Sequence, residues 1–222
     1  MFDTFMHRVV APILWLLLHP RVEGAHNVPH TGPLIVASNH LSFVDSFIIP
    51  LALLPRRVTF IAKAEYFEQP GLRGRALRWF FSSLGHVPIR RGTGRAALGA
   101  LDQSVEILEA GNAFVIYPEG TRSQDGRLYR GRTGLGAVVL RSGAAVLPVG
   151  VVGSDKMQPV GRSWPTPFAR VIVRIGEPME FGQYAGDPPG RARREITDEV
   201  VQAIQKLSGQ EYTGTYNDRA PA

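Results

Sequence analysis

From residue 34 onward, short and continuously apolar β-rich runs follow one another, with helical patterns filling the gaps between them. Leu34 to Ser38 (LIVAS), Val58 to Lys63 (VTFIAK), His86 to Arg90 (HVPIR), Ala113 to Tyr117 (AFVIY), Val146 to Val152 (VLPVGVV) and Ala169 to Ile175 (ARVIVRI) read as strands. Runs without polar alternation belong to strands covered on both faces. Residues 44–54, 71–84, 94–111 and 132–143 read as the covering helices; in the third, Leu98, Leu101, Val105 and Leu108 recur at helical spacing and Gly111 supplies a stop. Alternation of this kind predicts an α/β fold with a mainly parallel, mixed β-sheet flanked by helices.

The two ends read differently from the middle. Val9 to Leu18 is an apolar run of ten residues, well short of the roughly 20 that a spanning helix needs. Phe2, Phe5, Met6, Val9 and Ile13 keep helical spacing with Asp3, His7 and Arg8 between them. Residues 1–20 are therefore expected to form a short helical segment lying in a membrane interface, although the same spacing would serve a helix packed on the protein's own core. A secretory signal fits less well, because the basic flank is weak and no small-x-small site follows. Residues 21–209 are expected to form the main domain. Near its end Asp187-Pro188-Pro189-Gly190 makes a turn, and Ile196, Val200, Ile204 and Leu207 stripe a packing helix that Gly209 ends. Residues 210–222 read as a polar, loosely held tail.

Charge and composition bound the partners. The net charge of +6 points to anionic ligands: a membrane surface, a phosphorylated small molecule or nucleic acid. Lys63, Lys156 and Lys206 are the only lysines. Arginine suits bidentate phosphate binding, and a GC-rich genome gives the same bias. No zinc-knuckle spacing, RNP-like aromatic run or helix-turn-helix pattern supports nucleic acid. With no cysteine, the chain has no disulfide framework and no thiol nucleophile. The histidines show no metal-site spacing, so neither a metal nor an organic cofactor is expected.

In open α/β sheets, ligands gather beyond the carboxyl ends of the strands. That edge collects His40 after the first run, Lys63 ending the second, Arg91 after the third, and Glu119 and Arg122 after the fourth. His40 and Asp45 stand five residues apart in Asn39-His40-Leu41-Ser42-Phe43-Val44-Asp45. Five residues rotate about 140° past a full helical turn, so the two point apart within regular helix. They meet only if His40 precedes the helix and Asp45 reaches back from its beginning. A carboxylate on one ring nitrogen would then leave the other free to take a proton; the competing reading is a simple N-cap by Asn39 or Ser42 with His40 exposed. His86, inside a strand-like run, reads as a sheet residue. No G-x-S-x-G supports a hydrolase-type nucleophile. In Tyr117-Pro118-Glu119-Gly120-Thr121-Arg122-Ser123, Gly120 permits close approach, and Thr121 and Arg122 offer donors to phosphate oxygens.

These stretches together are similar to the motifs of the glycerolipid acyltransferases of the 1-acylglycerol-3-phosphate (lysophosphatidate) type. NHLSFVD resembles their first block, GHVPIRR (Gly85 to Arg91) the second, YPEGTRS the third and Val146-Leu147-Pro148-Val149 the fourth, all in family order. The resemblance covers roughly residues 22 to 180 and implies a glycerol-3-phosphate acyltransferase-like fold. It implies transfer of a fatty acyl group from acyl-CoA or acyl carrier protein to the free hydroxyl of a lysophospholipid acceptor, 1-acylglycerol-3-phosphate, giving phosphatidic acid. In that scheme His40 is the base and Asp45 its partner, while Arg91 with Glu119, Gly120, Thr121 and Arg122 holds the acceptor. Lys63 is open to two roles, phosphate binding or oxyanion stabilisation. Arg90 departs from the acidic or small residue that many members carry, which leaves acceptor preference open. The expected location is the cytoplasmic face of the cell membrane, as a peripheral or monotopic protein. A sister activity on glycerol-3-phosphate, another lysophospholipid or a glycolipid is the enzymatic rival. A non-catalytic anionic-lipid-binding module is the rival of another class.

Overall fold

The computed structural model describes residues 11–63, 71, 74–75, 86–89, 95–159, 161–162, 164–166 and 169–218. The expected helix over 71–84 and the first ten residues of the expected interfacial segment lie largely or wholly outside them. Among the described residues seven strands form one sheet: β1 (Arg21–Glu23), β2 (Leu34–Ser38), β3 (Val58–Lys63), β4 (His86–Ile89), β5 (Ala113–Ile116), β6 (Ala145–Val152) and β7 (Ile172–Ile175). Their order across the sheet is β1-β7-β6-β2-β5-β3-β4. β6, β2, β5, β3 and β4 are mutually parallel, whereas β7 runs antiparallel to β6 and β1 pairs parallel with β7. The sheet is thus mainly parallel and mixed, as the sequence predicts.

β2 shows why a run such as LIVAS folds where it does. Leu34 and Val36 enter the apolar cluster on one face, and Ile35 and Ala37 the cluster on the other, the two-residue period of a pleated strand. Helix α1 (Ala11–Leu18) contributes Leu18 to the first cluster, and α2 (Asp45–Ala52) contributes Ile48, Ile49, Leu51 and Ala52. The second cluster is covered by α3 (Arg95–Glu109), α4 (Gly134–Ser142) and α6 (Pro189–Ser208); α5 (Ser154–Met157) is a single turn after β6. Each fully buried Leu or Ile contributes roughly 1.5–3 kcal/mol, so a strand filling both clusters is fixed in register. Packing of α6 on α4 requires Gly136, where a Cβ would lie 2.3 Å from the Arg193 carbonyl oxygen.

One strand goes unread in the sequence, and one expectation needs correction. β1 carries no apolar run, so only its pairing with β7 reveals it. Residues 210–218 are not loosely held: Leu128 and Tyr212 form a parallel bridge, and main-chain hydrogen bonds continue to Arg130 N–H on Thr215 O at 2.8 Å. Their polar side chains and backbone find partners on the 118–132 loop, a kind of attachment that leaves no hydrophobic signature. Among the described residues no helix is long and apolar enough to cross a membrane. On α1, Trp15 and Leu16 are exposed while Leu18 is buried.

Candidate active site

β2 presents the first half of the site. Past Ser38 the chain turns, and α2 begins at Asp45 itself with Val44 as its cap, so His40 lies before the helix and Asp45 at its start. That is the geometry in which the pair meets: His40 Nδ1 is 3.0 Å from Asp45 Oδ2. The same oxygen accepts the main-chain N–H groups of Leu41 and Ser42, each at 2.8 Å. Asp45 is completely buried, and the His40 ring nitrogen and the two main-chain N–H groups all meet its one oxygen. Asn39 fixes the other side of the turn. Its side-chain amide donates to Val151 O and accepts from Val151 N–H, both at 2.8 Å, and also donates to Gln210 Oε1 at 2.8 Å.

β5 and its following loop present the second half. The Tyr117 ring stacks on the His40 imidazole, with centroids 3.8 Å apart and planes 9° from parallel. Glu119 Oε1 accepts His40 N–H at 3.2 Å, and Ser123 N–H donates to His40 O at 2.8 Å. The loop thus holds both polar atoms of the His40 main chain. Glu119 Oε2 accepts Tyr129 N–H at 2.9 Å. Its buried carboxyl thereby ties two stretches of main chain together. Further along, burial alone would raise the Asp125 carboxyl, but hydrogen bonds from Tyr129 O–H, Arg127 and Ser123 hold it well below the usual carboxylate range.

Gly120, with φ 78°, turns the loop, and its N–H donates to Tyr117 O at 3.0 Å. Gly120 is exposed, while Thr121 and Arg122 are half-buried. Lys63 ends β3, and counting on from the Phe60 and Val115 pairing puts it level with Pro118 on the same edge. Arg91 lies outside the described residues. His86 opens β4, opposite Phe60, at the end away from this edge. Among the described residues no group of three or more His, Asp or Glu side chains could hold a metal. Sequence reasoning missed three participants. Tyr117 was read as the end of a strand, Tyr129 carries no motif, and Gln210 was assigned to the tail.

Burial pushes the Glu119 carboxyl up to about 7; the Tyr129 and His40 N–H groups pull it down, and Asp45 and Asp125 push it up. A raised folded-state value means stabilisation that is complete below about pH 4.5 and lost as pH rises through about 7. Across that window the loss amounts to roughly 3 kcal/mol. Urea unfolding of the wild type and Glu119→Gln at intervals from about pH 5 to about 8 checks this, because the stability gap between them is expected to narrow as pH rises. A gap independent of pH would show that the carboxyl ionises at its ordinary value.

The sheet thus mounts a His–carboxylate pair beyond its central strand. The family model described as Acyltransferase matches residues 19–152, more than half of the chain, and the chain belongs to that family. The chloroplastic 1-acyl-sn-glycerol-3-phosphate acyltransferase of Arabidopsis thaliana is 31% identical over 210 residues, covering 90% of this chain and 56% of the relative. A lyso-ornithine lipid O-acyltransferase of Pseudomonas aeruginosa is 38% identical over 124 residues, 54% of this chain and 43% of the relative. The chain spans about half the length of these two curated relatives. The crystal structure of the 1-acyl-sn-glycerophosphate acyltransferase from Thermotoga maritima matches with a TM-score of 0.65 at 29% identity, covering 94% of this chain and 79% of that one.

Proposed function

We propose that the chain moves a fatty acyl group from a thioester, acyl-CoA or acyl carrier protein, to the free hydroxyl of 1-acylglycerol-3-phosphate, giving phosphatidic acid. The observation that carries this reading is His40 Nδ1 at 3.0 Å from a carboxylate that is wholly buried. With the ring hydrogen held on Nδ1, Nε2 takes the proton of the acceptor hydroxyl as its oxygen attacks the thioester carbonyl carbon. The tetrahedral intermediate collapses with cleavage of the C–S bond, and the departing sulfur receives the proton from Nε2. Asp45 stabilises the imidazolium formed between these steps, and the Tyr117 face stacked on the ring supports it as well. No acyl-enzyme intermediate and no cofactor enter the scheme.

Arg91 and the Gly120 to Arg122 loop hold the acceptor's phosphate and glycerol, with Glu119 acting on that loop from below as a positioning residue. Lys63, ending the neighbouring strand, serves the phosphate or the oxyanion. Exposed Trp15 and Leu16 on α1 suit docking at a membrane interface, on the cytoplasmic face, where the acceptor's acyl chain stays in lipid. Relatives named for acceptors that carry the glycerol phosphate headgroup support this substrate; the Pseudomonas relative favours a second reading, an ornithine-type lysolipid.

Incubation of the full chain with labelled acyl-CoA or acyl carrier protein against lysophosphatidate, glycerol-3-phosphate, other lysophospholipids and lyso-ornithine lipid tests the reading. Label is expected in phosphatidic acid, and label in another lipid instead would replace this acceptor. Arg91→Ala is expected to raise KM for the phosphate-bearing acceptor by about 10- to 100-fold, the loss of one charge-assisted contact. An effect confined to the donor would reverse the assignment.

A further inference from the structure

Residues 210–218 lie outside the family match yet make close contact with both halves of the site. Gln210 spans them with one side chain: Oε1 accepts Asn39 Nδ2 at 2.8 Å, and Nε2 donates to Gly126 O at 2.7 Å. Asn39 is the residue before the base, and Gly126 belongs to the loop that carries Glu119 to Arg122. From there the chain runs alongside that loop. Leu128 N–H donates to Glu211 O at 2.9 Å, Thr213 N–H to Leu128 O at 3.0 Å, and Arg130 N–H to Thr215 O at 2.8 Å. Asn217 is buried and donates through Nδ2 to Arg122 O at 3.2 Å.

Tyr216 acts by a different contact. The guanidinium groups of Arg130 and Arg132 sit 5.5 and 5.6 Å from its ring centre, the range of a cation–π attraction. Asp218 lies 3.6 Å from Arg132. The Arg132 side chain in turn runs against Gly120, where a Cβ would come within 3.2 Å of its Cδ and Nε, and Arg132 N–H donates to Pro118 O at 2.8 Å. Tyr216 therefore reaches the turn of the acceptor loop through one arginine.

We propose that residues 210–218 are a strap that sets the placement of the acceptor loop relative to His40, with Gln210, Tyr216 and Asn217 as positioning residues. The inference rests on reading this edge as the acyl-transfer site. None of the three touches substrate. Each acts through a group that does, or that adjoins one: Gln210 through Asn39 and Gly126, Asn217 through Arg122, Tyr216 through Arg132 and Gly120. A loop released from the strap holds the acceptor less well, while groups elsewhere that bind the donor are unaffected.

The test uses the full chain carrying Gln210→Ala, Asn217→Ala, Tyr216→Ala or Tyr216→Phe. For each alanine variant, KM for lysophosphatidate is expected to rise by roughly 5- to 10-fold, the size of one lost hydrogen bond or cation–π contact, with KM for acyl-CoA within about two-fold. Tyr216→Phe loses the hydrogen bond that the hydroxyl accepts from Arg194 at 3.2 Å but keeps the ring under Arg132, and should keep the wild-type KM. Because the Tyr216 side chain is partly exposed, its removal opens no core cavity, and that variant reports even if Asn217→Ala folds poorly. Unchanged acceptor KM, or a parallel rise for both substrates that follows a lowered unfolding midpoint, overturns the strap. Should the wild type prefer another acceptor of the panel, the functional reading fails on its own, and the same KM comparison is made with that acceptor. Amide hydrogen exchange over residues 117–132 decides the matter without turnover: exchange roughly 5- to 10-fold faster in Gln210→Ala supports the strap, and unchanged exchange overturns it.

Discussion

His40→Ala is expected to lower acyl transfer by about 10²- to 10⁴-fold, the range removed when a positioned base is lost, while the protein stays folded. The reason for the second half lies in the main chain. The loop holds His40 through its N–H and C=O, on Glu119 and Ser123, and neither bond needs the imidazole. The ring itself stacks on Tyr117 and leaves 16% of its surface exposed, so its removal leaves a solvent-accessible gap above Tyr117. Thiol release from acyl-CoA in the presence of acceptor measures the first effect, and circular dichroism with urea unfolding measures the second. Turnover close to wild type would remove His40 from the chemistry.

Asp45 variants should fail in both respects, and in a graded order. Asp45→Ala takes the acceptor away from the Leu41 and Ser42 N–H groups as well as from the ring. Two buried main-chain donors left unpaired cost about 1–3 kcal/mol each. Asp45→Asn keeps one accepting oxygen but puts an amide NH2 where Oδ1 now sits, an atom with no hydrogen-bond partner among the described residues. One buried amino group, with its two N–H donors, is then unsatisfied, at about 1–3 kcal/mol for the group, whereas alanine strands two separate main-chain groups and empties the space as well. Stability is expected to fall from wild type to Asn to Ala. Turnover drops by about 10²-fold or more in both, because neither side chain stabilises an imidazolium. Equal unfolding free energies for the two variants would show that the turn does not depend on this oxygen, and normal turnover in Asp45→Asn would show that its charge is not used.

The relation of His40 to Asp45 was legible before any coordinates, because helical geometry allows only one way for residues five apart to meet, and the chain adopts it: α2 starts at Asp45. That the central strands are covered on both faces followed from apolar runs too rich to face water. What stayed hidden shares a physical cause. β1 is three residues long with charged ends, and its partner β7 is supplied from 151 positions further on, so no local periodicity marks it. Glu119 sits in a turn sequence that normally faces solvent, and only the fold encloses it. Gln210, Tyr216 and Asn217 are polar residues beyond a helix stop, a composition shared with free tails; their attachment depends on carbonyls and guanidinium groups brought near by the fold.

Asn39 gives the arrangement a property that none of its neighbours has. The peptide ladder between β2 and β6 ends at Ser38 and Val149, but the Asn39 amide both donates to and accepts from Val151, so a side chain imitates one further rung. The proposed base is therefore mounted on a continuation of the rigid sheet. Its freedom is lost during folding, before any lipid arrives, and the encounter with substrate needs little further ordering of the catalyst. Aspartate in that place, isosteric but unable to donate when ionised, would shorten the ladder and let the imidazole wander.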